Sequence, residues 1–324
     1  MNSRALSFVA VSLIAVAIAG CVPLERSPAA PTLSSVVSET TYHTQQVGDV
    51  EVFYRAAGAP DRPVVLLLHG FPSSSHQYRN LIPKLAEQYR VIAPDLPGFG
   101  STVAPPRGEF DYTFDNLANT IDGFTTALGL DRFAIYVFDY GAPVGFRIAS
   151  AHPERVTAII SQNGNAYEDG ITDAWQPIQA YWRHETPENR NALRTILARS
   201  TTEWQYTEGT PPELLHRISP DAINHDQAIL DRDAELQLDL FLDYRSNVAA
   251  YPVWQRYLRN HQPPVLAIWG KNDPFFGPAG AEAFRRDVPS AQVEYLDAGH
   301  FPLETHGEVI AGRILEFLAS VDVR

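Results

Sequence analysis

FAIYVFDYGAPVG, residues Phe133 to Gly145, is an apolar run that stops at Asp139 and gives way to small residues at Gly141 and Ala142. The run predicts a strand, and Pro143 to Ala149 reads as the opening of a helix. A strand that turns so sharply into a helix holds its apex residue at strained backbone angles with the side chain presented, and the tight turn demands small neighbours. Such an elbow presents a nucleophile, and here the apex is a carboxylate. An aspartate at this point also caps the following helix, which accounts for a helix start but not for the small residues around it.

Working outward, Tyr42–Val47 and Val50–Ala56 predict two short strands meeting at Gly48-Asp49. The apolar run Pro63–Leu68 predicts a strand buried on both faces, followed by His69-Gly70-Phe71-Pro72. Tyr78, Leu81, Ile82 and Leu85 repeat with helical spacing. Tyr89–Ala93 predicts the next strand, ending in Asp95-Leu96-Pro97-Gly98-Phe99-Gly100, and Phe114–Leu128 the next helix. Val156–Ser161 predicts another strand. This alternation is that of a parallel sheet wrapped by helices on both sides.

The rhythm then breaks. From residue 163 to 262 there are amphipathic helical stretches and Pro-rich turns but no convincing strand, and four of the five tryptophans lie there. After Pro263-Pro264 the sheet pattern resumes with Val265–Trp269, a helix near Gly280–Asp287, the strand Gln292–Leu296 and a last helix buried through Ile310, Ile314, Phe317 and Leu318. The core is therefore expected over residues 41–162 and 263–324, with a helical cap over 163–262.

With 324 residues, 45% of them apolar and 19% charged, the chain has material for a large globular core. A net charge of −13 and the lack of a Lys/Arg run argue against nucleic-acid binding. The single cysteine, Cys21, excludes an internal disulfide and a Cys-based zinc cage. Arg4 precedes an apolar run of about 16 residues, short for a membrane span and suited to an export signal. Ile18-Ala19-Gly20-Cys21 resembles a bacterial lipobox, which implies a signal peptide over residues 1–20 and a lipid on Cys21. Residues 21–40, rich in Pro, Ser and Ala, then read as a linker. The resulting expectation is an exported bacterial cell-envelope protein, anchored to a membrane, with the outer membrane as the candidate, only through that lipid.

HGFP (His69–Pro72), DLPGFG (Asp95–Gly100), the VFDYG elbow (Val137–Gly141), WGKND (Trp269–Asp273) and AGHF (Ala298–Phe301) follow one another in the order of a known family. The chain resembles the α/β-hydrolase superfamily, in its epoxide hydrolase and haloalkane dehalogenase branch, from about Tyr42 to Leu318. The resemblance implies a mostly parallel central sheet flanked by helices with an inserted all-helical cap. It also implies Asp139 as nucleophile, His300 as the base that activates water, and Asp273 as the residue that orients the imidazole. The strand before the cap ends in Gln162-Asn163-Gly164-Asn165 without a carboxylate, which favours Asp273 over that alternative position. Val137 departs from the small residue usual at the first elbow position.

Backbone N–H groups of Phe71 and Tyr140 are the implied oxyanion hole. Dehalogenases of this branch usually place a Trp beside the nucleophile to hold halide; this chain has Tyr140 there, and Phe71 where an Asn donor can stand. Trp175 and Trp182 remain as cap donors. Epoxide opening needs an acid instead, and Tyr244, in LFLDYRSN (Leu240–Asn247), matches a cap tyrosine that serves as one in relatives. Core packing is an equal reading of Tyr244. A second cap tyrosine aligns at Ile178, with Tyr181 nearby. Only Arg147 lies close to the elbow, too few arginines for holding a haloacetate. The expectation is hydrolysis of a small apolar electrophile with water through an aspartyl ester, an epoxide ahead of a halogenated alkane. No metal or organic cofactor is implied. The rival of another class is a ligand-binding protein that kept the fold without turnover.

Overall fold

The computed structural model describes residues 39–322; the expected signal peptide, Cys21 and nearly all of the linker lie outside the described residues. Among the described residues, eight strands form one sheet: β1 (Thr41–Val47), β2 (Val50–Ala57), β3 (Val64–Leu68), β4 (Arg90–Pro94), β5 (Phe133–Phe138), β6 (Val156–Gln162), β7 (Val265–Gly270) and β8 (Gln292–Leu296). Their spatial order is β1-β2-β4-β3-β5-β6-β7-β8. β2 pairs antiparallel with β1 and β4, and all pairings from β4 to β8 are parallel. The chain leaves β3 for β4 on one side and returns to β5 on the other, so the crevice at the carboxyl ends of β3 and β5 is a topological switch point.

The helices are α1 (Ile82–Leu85), α2 (Phe114–Ala127), α3 (Gly141–Ala151), α4 (Gln176–Arg183), α5 (Pro187–Ala192), α6 (Arg199–Thr207), α7 (Pro220–Leu230), α8 (Ala234–His261), α9 (Pro278–Asp287) and α10 (Pro302–Ser320). Strand alternation divides the core. Leu66, Leu68, Ile135, Val137 and Ile159 join Ile121, Phe124, Phe146, Trp254 and Phe284 on one face. Val65, Leu67, Tyr136, Phe138 and Ile160 join Ile82, Leu85, Ile310, Ile314 and Phe317 on the other. Between β6 and β7, α4 to α8 form the helical insertion. Among the described residues no helix is long and apolar enough to cross a membrane.

One expected helix is different. The stripe Tyr78–Leu85 is split into a 3-10 turn, Ser75–Tyr78, and the short α1. Pro83 explains the break: it has no N–H to donate to an earlier carbonyl, so it fits only in the first turn of a new helix. The departure at Val137 also has a structural counterpart. A Cβ on Gly145, one turn into α3, would lie 2.5 Å from Val137 Cγ1, so the space that the elbow's first position does not give is supplied by the helix.

Candidate active site

β5 and β3 are adjacent and parallel, with Leu68 opposite Val137, so the loops that follow them emerge side by side. Asp139 sits between β5 and α3 at φ +44°, in the left-handed region that a side-chain-bearing residue rarely adopts. Its Oδ1 accepts the N–H groups of Phe71 and Tyr140, each at 2.6 Å. The two expected oxyanion donors therefore converge on one carboxylate oxygen. The approach is close: a Cβ on Gly70 would lie 2.3 Å from Asp139 Cβ, so only glycine fits before Phe71.

The other oxygen faces histidine. His300, in the turn between β8 and α10, places Nε2 3.9 Å from Asp139 Oδ2. Its Nδ1 is 2.8 Å from Asp273 Oδ2, which fixes the ring from behind. Asp273, after β7, is itself held, since Oδ1 accepts the Phe275 N–H at 2.7 Å and Oδ2 accepts Asn163 Nδ2 at 2.6 Å. Asn163 caps β6 at φ +51° and accepts the Gly270 N–H through Oδ1 at 3.0 Å. It thus ties the ends of β6 and β7 together around the carboxylate.

Burial sets the charges. Asp139 is 6% exposed, and loss of water pushes its carboxyl up to about 6, against the pull of His300 and the two N–H donors. It stays ionised at neutral pH, with less margin than a solvated aspartate. For His300, burial is the strongest influence and acts downward, but Asp273 and Asp139 together outweigh it and raise the imidazole above its ordinary value.

Asp139, Tyr140, Phe71 and His300 open onto a cavity of about 280 Å³, closed by Trp175, Pro177, Ile178, Ile196, Thr201, Trp204, Gln205, Phe241 and Phe275, among others. The expected cap donors fare differently. Trp175 lines the cavity, yet its indole N–H donates to the Phe275 carbonyl at 3.0 Å. Trp182 is outside the lining and donates to the Phe241 carbonyl at 2.6 Å. Neither indole N–H is free for a halide, because each satisfies a backbone carbonyl. Tyr181 is turned away, its hydroxyl accepting Arg190 Nη1 at 3.1 Å. Tyr244 also lies outside the lining, packed on Trp175 with ring centroids 4.4 Å apart. Its hydroxyl is buried next to Tyr251, and burial first, with that neighbour second, holds its pKa well above the ordinary phenol value. Arg147 is spent on Asp115, Ser246 and Asn247.

Three features escaped sequence reasoning. Asn163 was visible only as a strand-end residue without a carboxylate. The hydroxyl of Tyr140 is buried and unpartnered. Gln205 is 1% exposed and lines the cavity; the signal for it was a buried helical stripe, Thr202, Gln205 and Tyr206, filled by polar-ended residues. Among the described residues no cluster of three or more His, Cys, Asp or Glu is placed to hold a metal ion.

Comparison with known proteins gives one direction. The profile of the alpha/beta hydrolase fold family matches residues 63–307. An uncharacterized hydrolase of Saccharomyces cerevisiae is 43% identical over 89% of this chain and 99% of its own length. Haloalkane dehalogenase 1 of Mycobacterium tuberculosis is 38% identical over 79% of this chain and 83% of its own. The crystal structure of the haloalkane dehalogenase DbeA from Bradyrhizobium elkani superposes with a TM-score of 0.70 at 24% identity, over 87% of this chain and all of that one, a likeness of fold.

Proposed function

Because this chain belongs to the α/β-hydrolase fold family, in the haloalkane dehalogenase and epoxide hydrolase branch, we propose that it hydrolyses a compact electrophile through an ester on Asp139. The observation that carries this is the division of labour between the carboxylate oxygens. Oδ2 faces His300 and attacks carbon, expelling the leaving oxygen or halide with its electron pair. Oδ1 becomes the ester carbonyl, already held by the N–H groups of Phe71 and Tyr140. His300 Nε2 then takes a proton from water as its oxygen adds to that carbonyl. The negative charge grows on Oδ1, where the two donors meet it. The tetrahedral adduct expels the product alcohol, which takes a proton from the imidazolium. Convergence of Asp139, Asp273 and His300 weighs against a binding protein without turnover.

Epoxides are placed first. A departing halide wants free N–H donors, and those of Trp175 and Trp182 are engaged. An epoxide oxygen wants a proton, and Tyr140, on the cavity wall, has a buried hydroxyl without a partner. Haloalkane dehalogenation is the second reading, favoured by the relatives named above. A single turnover in ¹⁸O-water tests the ester, since the label enters the Asp139 carboxylate first. Label found only in the product would replace the ester with direct attack by water. Parallel assays for diol and for free halide separate the two substrates. For export, we propose the lipid on Cys21 from the sequence; loss of labelled palmitate incorporation in Cys21→Ser tests it.

A further inference from the structure

The stripe of α6 that faces inward carries three residues with polar ends, and two are satisfied. Thr202 Oγ1 donates to Gln227 Oε1 at 2.7 Å, and the Tyr206 hydroxyl donates to Asp226 Oδ2 at 2.5 Å. Gln205 lies between them and differs. Its amide nitrogen is buried without an acceptor and with next to no exposed surface, while the side chain lines the catalytic cavity, so a half-turn of the terminal amide is what brings the donor to an occupant. The backbone that carries it is fixed from both sides. The Tyr206 ring stacks on Phe301, next to His300, at 4.1 Å and 4°, and Trp204 packs edge-on against Phe275. Gln205 is therefore held at the cavity by rigid neighbours while its own donor is left over.

Other cap groups on the cavity wall lack such a surplus. Trp175 is engaged with Phe275, and the Thr201 hydroxyl donates to the Thr195 carbonyl at 2.6 Å. Ala174, Pro177, Ile178, Ile196 and Phe241 have no polar side-chain atom to offer. Trp204 is 37% exposed, so water can reach part of it. A buried donor without an acceptor is costly, and buried polar groups in native proteins are almost always paired. Exceptions mark places where a ligand completes the bonding. An amide N–H is too weak an acid to give up its proton, so this group reads a substrate and does not protonate it.

We propose that Gln205 is the substrate-reading residue of this cavity, and that the electrophile carries a hydrogen-bond-accepting oxygen, an ether or a carbonyl, in addition to its reacting group. This rests on the ester reading for the chemistry and refines its substrate from wholly apolar to apolar with one acceptor. A hydrocarbon occupant leaves the amide unpaired in a dry site, whereas an oxygenated one satisfies it. Sites built this way discriminate strongly against the analogue that lacks the polar atom.

The test uses two unreactive probes of nearly one shape, cyclohexanone and methylenecyclohexane, titrated against the intact protein by tryptophan fluorescence, since Trp175 and Trp204 line the cavity. Wild type is expected to bind the ketone at least about tenfold more tightly. Gln205→Met, close in volume, is expected to level that ratio or reverse it. Equal binding of both probes by wild type, or the same preference in Gln205→Met, overturns the proposal. Should Gln205→Met not fold, the wild-type comparison still decides, and Gln205→Leu supplies the second variant. Neither probe reacts, so this outcome is independent of the ester, whose own failure appears as unlabelled Asp139 in the ¹⁸O experiment. In turnover, glycidyl methyl ether against 1,2-epoxypentane should repeat the preference in kcat/KM. A Gln205→Met variant that slows both substrates equally would place the amide on the leaving group and overturn the assignment.

Discussion

His300 Nε2 stands 3.9 Å from Asp139 Oδ2, beyond hydrogen-bonding range, while Asp273 grips the opposite nitrogen at 2.8 Å. The carboxylate is thus not tied up by the imidazole, and the imidazole is not needed for its attack. Removing the base should stop the second step and spare the first. His300→Gln is expected to form the Asp139 ester at close to the normal rate and to hydrolyse it about 10²–10⁴-fold more slowly. Mass spectrometry of the Asp139 peptide after brief exposure to substrate checks this; unmodified peptide alongside normal substrate binding would contradict it.

The same two groups set the acid limb. Asp139 must be ionised to attack, and its carboxyl is pushed up to about 6 by burial. kcat/KM, which reports the free enzyme, should fall about tenfold per pH unit below that value. His300 must be neutral to take a proton from water, and its raised pKa brings the hydrolysis step down as well when the medium turns acid. The groups interact, so the observed values belong to the set. Pre-steady-state alkylation measured from pH 4 to 9 checks the first limb (roughly, the span over which both groups change charge). A flat rate down to the ordinary aspartate range would show that Asp139 is solvated when it reacts.

Asn163 occupies the strand end where the resemblance allows a carboxylate, and it donates to the one that stands elsewhere. Asn163→Ala removes that bond and the bond to Gly270 N–H, and places alanine at φ +51°. Loss of buried bonds suggests destabilisation of about 1–3 kcal/mol. Asp273 then loosens, so ester hydrolysis should slow by on the order of 10–100-fold while ester formation changes little. Single-turnover kinetics separate the steps; equal slowing of both would assign Asn163 to folding alone.

Asn163 also marks where sequence reading ends. The sheet, the elbow and the order Asp139, Asp273, His300 were legible because strand runs, tight turns and chain order are local properties. The fates of Trp175, Trp182 and Tyr181 were not, because each polar end is consumed by a partner that only tertiary packing brings near. Phe275, Phe241 and Arg190 are respectively 100, 59 and 9 residues away. Gln205 was hidden for the opposite reason: its distinction is the lack of a partner, which a chain read alone does not reveal.

Tyr244 separates the two substrate readings. Its hydroxyl is buried beside that of Tyr251, so Tyr244→Phe removes at most one buried contact and should change stability by no more than about 1 kcal/mol. If the phenol protonates an opening epoxide, that step falls by about 10²-fold in the variant while displacement of bromide from a bromoalkane is nearly unchanged. Burst-phase alkylation with each substrate checks this. Because Tyr244 packs on Trp175 and is not among the cavity-lining residues, equal and small effects on both would make the tyrosine packing and pass the acid's role to Tyr140.

Away from the chemistry, Asp226 couples stability to pH. It is fully buried on α7, bonded to the Tyr206 hydroxyl, near Glu304 and Arg79, and burial pushes its carboxyl from 3.8 up to about 7. The sign follows from proton binding. Between those two values the folded protein holds a proton that the unfolded chain has released, so its contribution is complete below the lower value and is lost as pH rises through about 7. The gap corresponds to on the order of 4 kcal/mol between acid and neutral conditions. Asp226→Asn keeps an acceptor for Tyr206 and removes the titration, so its denaturant midpoint should depend less on pH and exceed that of wild type at pH 8 (roughly one unit above the folded value). A wild-type midpoint that rises from pH 5 to 8 (roughly the window of this titration) would mean that Asp226 is ionised in the fold and compensated by Arg79.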